Sequence, residues 1–218
     1  MILNNHQKGS RRDNAILKLI EDHGAFNTEQ VAVLFFSGSS RMRMAQRRLK
    51  RMYETKRIKR DREGAAEPYY YYFKRRSLHT KHVVDTNWAY TWFNAVKISK
   101  WEELWCYRRE QPVGDMRPDA FVGLFNKFTK EIKFYFVEVD RSDNYFDKVA
   151  GYNEIYEKEQ YTKCWWSEYA KTFPTIMVFT YSESRASIIQ DLITRDNRHG
   201  LKFEVSLLDT IRKECLVC

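Results

Sequence analysis

The chain has 218 residues and a formal charge of +9, with 43% hydrophobic and 16% aromatic residues. That composition supports packed cores in one large or two small domains and excludes a disordered basic tail. No apolar run approaches bilayer length and the start, MILNNHQKGSRR, is no secretory signal, so a cytoplasmic protein with no membrane partner is expected.

Asn14 to His23 reads as a helix capped by Asp13, with Ile16, Leu17 and Ile20 on one face and Gly24 at its end. Asn27 and Gln30 stand at capping-box spacing before a second helix, where Val31, Leu34 and Phe35 share a face. Ser37-Gly38-Ser39 breaks the chain, and Ser39 or Ser40 caps a third helix to about Thr55. Ala45, Leu49, Met52 and Tyr53 form its predicted buried stripe. IKRDR and PYYYYF follow as two short strands around a turn at Glu63-Gly64. Strand alternation sends two of Tyr69 to Tyr72 inward and two outward.

Three helices and a β-hairpin are the pattern of a winged helix-turn-helix. The charge falls on its third helix and wing. From Arg41 to Arg62 there are eleven basic residues against Glu54 and Asp61, a net +9 that equals the charge of the whole chain. Such concentration points to a docking surface for a polyanion. Arg41, Arg43 and Arg47 are the candidates for base edges, because arginine can bond guanine at two points. Lys50, Arg51, Lys59, Arg60 and Arg62 would grip phosphates, with Ser40 and Arg48 completing the DNA-binding set. Double-stranded DNA is the expected partner. The plainer alternative is a solvated helix face, which the scarcity of compensating acids disfavours.

Lys74 to Lys81 is polar, and a helix is predicted from Leu78 to Val96 with Val84, Trp88, Trp92 and Val96 at four-residue spacing. His79 and His82 are three apart but lack a matching acid or cysteine, so they read as surface histidines. Dimerisation would suit a winged-helix protein reading a repeated site.

From Lys100 the period changes to alternation. WEELWCY, RPDAFVGLF and KEIKFYFVEVD read as three strands, the last two joined as a hairpin through Asn126 to Lys130. A helix from Asn144 to about Tyr161 carries Tyr145, Val149, Tyr152 and Tyr156 on one face. TIMVFTY is a buried strand, Ser184 caps the helix SRASIIQDLI, and LKFEVSLL is a last strand. This is a mixed α/β layer. Cys215 and Cys218 form a lone CxxC with no second pair, which reads as a frayed tail with free thiols rather than a zinc site. Four cysteines in all suit a reducing compartment.

Asp119 follows Pro118 in the second strand, while Glu138 and Asp140 end the third, two apart and so on one face. Pairing of the two strands would bring the three carboxylates together, and a hard divalent ion would let them coexist. The bland alternative is an ion pair of Asp140 with Arg117 or Arg141.

The helix, three strands, helix, strand order, with Pro118-Asp119 and Glu138-Val139-Asp140, resembles the PD-(D/E)XK nuclease superfamily. That likeness implies an α+β chain whose C-terminal domain is restriction-endonuclease-like, with magnesium or manganese held by Asp119, Glu138 and Asp140. Asp140 stands where the superfamily has its lysine; Lys148 on the next helix could supply the ammonium, and Glu103 could fill the upstream acid. The succession ILKLIEDHGAFNTEQVAVLFF, AQRRLKRMYETKRIKR, Leu78-His79, RPDAF and FYFVEVDR is similar to the replication-relaxation family. This second likeness implies a winged-helix domain at 1–76, a connecting helix at 77–98 and a nuclease-like domain at 99–218.

Three functions follow as expectations. One is a DNA-binding accessory protein for plasmid or mobile-element replication, relaxation or transfer, working with replication or mobilisation proteins. The second is a magnesium-dependent endonuclease or nickase. The third is a transcriptional regulator of such an element. Five scattered histidines argue against a tyrosine relaxase, and no Gly-rich phosphate loop with lysine is present for an NTPase.

Overall fold

The computed structural model describes residues 5–75, 77–141 and 144–217. They divide into two units, one reaching Thr91 and taking in Cys215 onwards, the other Trp92–Glu214. No helix among the described residues is long and apolar enough to cross a membrane.

The first unit runs α1 (Asn5–His23), β1 (Phe26–Asn27), α2 (Thr28–Phe35), α3 (Arg41–Glu54), β2 (Lys59–Asp61), β3 (Tyr70–Tyr72) and α4 (Thr80–Trp92). α1 begins well before the predicted Asn14, so Asp13 lies inside the helix instead of capping it. Periodicity marks only the turns that pack, and the leading turns, with Ser10, Arg11 and Arg12 exposed, leave no such signal. The capping box of α2 is present: the Gln30 N–H donates to Asn27 Oδ1 and the Asn27 N–H to Gln30 Oε1, both at 2.9 Å. α3 starts without a side-chain cap from Ser40. Gly38, at φ +79°, makes the turn instead, and its carbonyl accepts from the Arg41 N–H at 3.1 Å.

Ala45, Leu49 and Met52 are buried as the stripe predicts, but Tyr53 is exposed with the Arg60 guanidinium 4.3 Å over its ring. The three short strands pair antiparallel in the order β1-β3-β2. Tyr70 and Tyr71 are both buried although they point to opposite faces. Tyr71 joins Ile16, Phe26 and Leu49 on the helical side, while Tyr70 packs with Val83 and Val84 of α4 on the other. α4 starts two residues later than predicted and passes at Trp92 into a π turn, Phe93–Lys97. It is tied to its unit by polar bonds that close buried carbonyls. Asn87 Nδ2 donates to the carbonyls of His23 and Ala25 at 2.9 and 2.8 Å, and Gln30 Nε2 to that of Val84 at 2.8 Å.

The second unit holds β4 (Glu102–Arg109), β5 (Ala120–Asn126), β6 (Ile132–Val139), α5 (Lys148–Glu157), β7 (Thr175–Thr180), α6 (Glu183–Asp196) and β8 (Phe203–Leu207), and the chain continues into α7 (Leu208–Val217). One five-stranded mixed sheet, β4-β5-β6-β7-β8, is antiparallel through β6 and parallel beyond it. The β5–β6 hairpin turns where predicted: Asn126 Oδ1 accepts from the N–H groups of Phe128 and Thr129, and Lys130 takes φ +61°. Phe121, Phe136, Val149, Tyr152, Trp166, Val178 and Ile189 form the core beneath α5 and α6.

α5 starts later than expected, which leaves Tyr145 before it and 67% exposed, while Tyr156 lies in its last turn and is exposed as well. The cap of α6 is Ser182, not Ser184, its Oγ accepting from the Arg185 N–H at 3.2 Å. The chain end is helical with Cys215 buried, not frayed; Cys218 lies outside the described residues.

Gln30 is fully buried and its two side-chain atoms serve two elements. Gln30→Ala leaves the Asn27 N–H and the Val84 carbonyl short of a partner and should lower stability by about 2 kcal/mol in urea unfolding. A loss below about 0.5 kcal/mol would show that these bonds hold nothing together.

Candidate functional site

The basic helix α3 sorts its cations by where each can be neutralised. Its buried stripe fixes the rotation about the axis, so Arg48 turns inward to Asp13 of α1, whose side chain is only 12% exposed. Arg57 reaches the same carboxylate at 3.4 Å and Asn14 Oδ1 at 2.7 Å. Arg41 donates to the Leu216 carbonyl. Arg60 is half-buried between the rings of Tyr53 and Tyr69, at 4.3 and 4.4 Å. Arg48 is thus neutralised within the fold, whereas Arg41 and Arg60, held by a carbonyl and by rings, keep their charge.

Arg43, Arg47 and Arg51 are exposed and make no ion pair or hydrogen bond among the described residues. At i, i+4 and i+8 they line one helical face. Lys50 lies beside them, its ammonium 3.8 Å from the exposed Glu54, a distance that gives little neutralisation. Ser40 is exposed at the start of the same helix. On the hairpin, Lys59 donates to the Lys74 carbonyl at 2.7 Å and Arg62 to that of Ala65 at 2.6 Å, so both keep their positive charge.

The second unit brings together three of the five expected catalytic residues. Asp119 sits one residue before β5 and its Oδ2 accepts from the Val139 N–H at 2.7 Å, which fixes it beside the end of β6. Glu138, 3% exposed, accepts from the Tyr152 hydroxyl at 2.7 Å through Oε1 and lies 3.3 Å from Lys148 Nζ through Oε2. Lys148 and Tyr152 are four apart on α5 and so share the face turned to the sheet. Burial pushes the Glu138 carboxyl up to about 7; Lys148 and Tyr152 oppose the rise and Asp119 adds to it. Burial pulls the Lys148 ammonium down, but Glu138 and Asp119 outweigh it and the group is held above its ordinary value. Tyr152 is raised well above a free phenol by burial and by Glu138.

Asp140, just past β6, is spent differently. Arg185 of α6 grips both its oxygens, Nε on Oδ2 at 2.7 Å and Nη2 on Oδ1 at 3.0 Å, and also donates to the Asn144 carbonyl at 2.6 Å. The expectation of an ion pair was sound, but its partner is Arg185 rather than Arg117 or Arg141. Glu103 is a correction. It pairs across the ladder with Phe125, six residues along β5 from Asp119, about 20 Å away. There it meets Lys127 at 3.0 Å, exposed. Sequence reasoning missed Arg185, which carried no motif, and read Tyr152 only as a core ring.

The acids do not fit a resident divalent ion. Arg185 holds both oxygens of Asp140, and Tyr152 and Lys148 hold one each of Glu138. Among the described residues no three His, Cys, Asp or Glu side chains group as a metal needs. The centre is carboxylate and cation, with the ammonium doing the neutralising. A cavity of about 570 Å³ opens at the other end of the parallel strands, bordered by Thr175, Lys202 and His199, and no expected catalytic residue lines it.

No protein-family model matches the chain, and no curated protein does. Among solved structures, restriction endonuclease FokI aligns with 95% of this chain and 44% of its own, at 11% identity and a TM-score of 0.34. The chain thus spans less than half of that structure, and a likeness at this level assigns no activity.

The raised Glu138 carboxyl has a stability signature. The folded chain holds a proton that the unfolded chain releases near pH 4.5, so stability falls as pH rises through the window from about 4.5 to about 7. Between pH 5 and pH 8 the wild type should lose up to about 3 kcal/mol relative to Glu138→Gln in parallel urea unfolding. Equal slopes for the two proteins would mean that Glu138 does not titrate there.

Proposed function

We propose that this chain is a duplex-DNA-binding protein. The observation that carries the reading is the row Arg43, Arg47 and Arg51 on α3, exposed and without partners among the described residues. The element order α1-β1-α2-α3-β2-β3, the sheet order β1-β3-β2 and the short link between α2 and α3 support a winged helix-turn-helix, with α3 in the major groove and the Lys59–Arg62 hairpin on the backbone. Arg43 and Arg47, nearest the start of α3, read base edges; Lys50 and Arg51, with Lys59 and Arg62, contact phosphates. Service in replication, relaxation or transfer of a plasmid or mobile element is proposed on the sequence resemblance to the replication-relaxation family alone, to which no family model adds a match.

A second reading is phosphodiester cleavage in the α/β unit. One observation favours it: Lys148 reaches Glu138 from the next helix and so places an ammonium beside two carboxylates, Glu138 and Asp119. In that reading Asp119, Glu138 and Lys148 form the centre, Lys148 stabilises charge on a phosphate oxygen, and Asp140 positions Arg185.

Two measurements test these readings. In fluorescence anisotropy, Arg43→Ala with Arg47→Ala should weaken binding to a cognate duplex and reduce its preference over an unrelated one, whereas Lys50→Ala with Arg51→Ala should lower the slope of log affinity against log salt by about 2. Unchanged affinity and slope would remove α3 from the interface. Supercoiled plasmid incubated with the chain, with and without added manganese, should be nicked if the second reading holds, and Lys148→Ala should stop it. Intact plasmid under both conditions leaves the α/β unit without cleavage chemistry.

A further inference from the structure

The edge strand β4 carries an aromatic surface that neither reading uses. Trp105 and Trp165 are each 37% exposed and Tyr169 is 51% exposed. Trp105 sits between the other two, ring centroids 5.5 Å from Trp165 and 5.3 Å from Tyr169. Large apolar rings grouped at a surface lose hydration energy that burial would recover, and such clusters mark contact sites.

The rings are fixed from beneath. Gly123 of β5 lets the Trp105 ring lie against the backbone, for a Cβ there would stand 3.1 Å from Trp105 Cε3. Phe134 packs edge-on against Trp105 at 5.8 Å, and Phe121 meets Trp165 at 6.1 Å. Rings held this way present their outer faces without losing rotamer freedom on binding. Arg108, two residues past Cys106 on the same strand, places its guanidinium 4.1 Å over Trp165. It is exposed and makes no hydrogen bond or ion pair among the described residues. A stacked guanidinium keeps its in-plane N–H donors for an anion. Of the two acids on β4, Glu102 accepts from the Ser99 N–H and Glu103 is met by Lys127.

Flat apolar faces beside a planar cation with unspent donors match one chemistry: an unpaired nucleobase joined to a phosphodiester. Bases within a duplex are stacked on each other and cannot offer their faces. We infer that Trp105, Trp165, Tyr169 and Arg108 form a binding site for single-stranded nucleic acid, with bases on the rings and a phosphate on Arg108. The inference rests on the reading of the chain as a nucleic-acid-binding protein, but on residues separate from α3.

The test uses the full chain, a labelled thymidine oligomer of about 15 nucleotides and a labelled duplex. Binding of the oligomer should quench intrinsic tryptophan fluorescence. Arg108→Ala and Tyr169→Ala, both at exposed positions, should each weaken oligomer binding about tenfold and leave duplex binding unchanged. Arg43→Ala with Arg47→Ala should do the reverse. Wild-type affinity for the oligomer in both β4-side variants, or saturation without quenching, overturns the site. A chain that binds duplex but not oligomer overturns the site alone; one that binds neither overturns the DNA-binding reading with it.

Discussion

A buried carboxylate decides which cations of the basic stretch reach solvent. Asp13 is 92% buried inside α1, where an unpaired charge would be costly, so it takes Arg48 from α3 and Arg57 from beyond it. That pairing and the Ala45-Leu49-Met52 stripe agree on one rotation of α3. Arg43, Arg47 and Arg51 are left pointing away from the protein, a column of positive charge with no internal use. That exposed positive face is what remains once the fold has satisfied its own acid.

The α/β unit uses the same device with the roles reversed. Glu138 is buried on the sheet, and the following helix answers with Lys148 and Tyr152. Asp140 is answered one helix later by Arg185. Each carboxylate at the end of β6 is thus matched by a donor from a different helix. The arrangement locks α5 and α6 to the same strand end and keeps a protonatable acid in a dry place, which is also what general acid-base work demands. Stability alone accounts for the pairing of Lys148 with Glu138.

Local features were legible in the sequence. The Asn27–Gln30 box, the Asn126 turn and seven of the eight strands depend on neighbours a few residues apart; the two-residue β1 (Phe26–Asn27) is too short to leave an alternating pattern and exists only through its pairing with β3. Lys148 could be named because the PD-(D/E)XK resemblance lacks its lysine at Asp140 and the next helix offers one. What could not be read depends on distant partners or on register. Asp13 looks like a cap until α1 is seen to extend before it. Glu103 has the right residue type, but the β4–β5 register sets it beside Phe125 rather than Ala120. Asp140 has neighbouring arginines in sequence, yet takes one from the far side of a crossover. The adjacent burial of Tyr70 and Tyr71 follows from a second cover, α4, that strand alternation alone does not foresee.

The change from antiparallel to parallel pairing at β6 has a consequence for how the unit assembles. Pairing of β6 with β5 closes only the Asn126–Lys130 turn, whereas pairing with β7 must wait for the whole crossover through α5. Loop closure makes the first fast and the second slow. The hairpin alone sets Asp119 against the Val139 N–H, with Glu138 and Asp140 as neighbours. The negative charges that the hairpin gathers at one strand end attract the ammonium carried by α5 and the guanidinium carried by α6, which favours closure of the crossover.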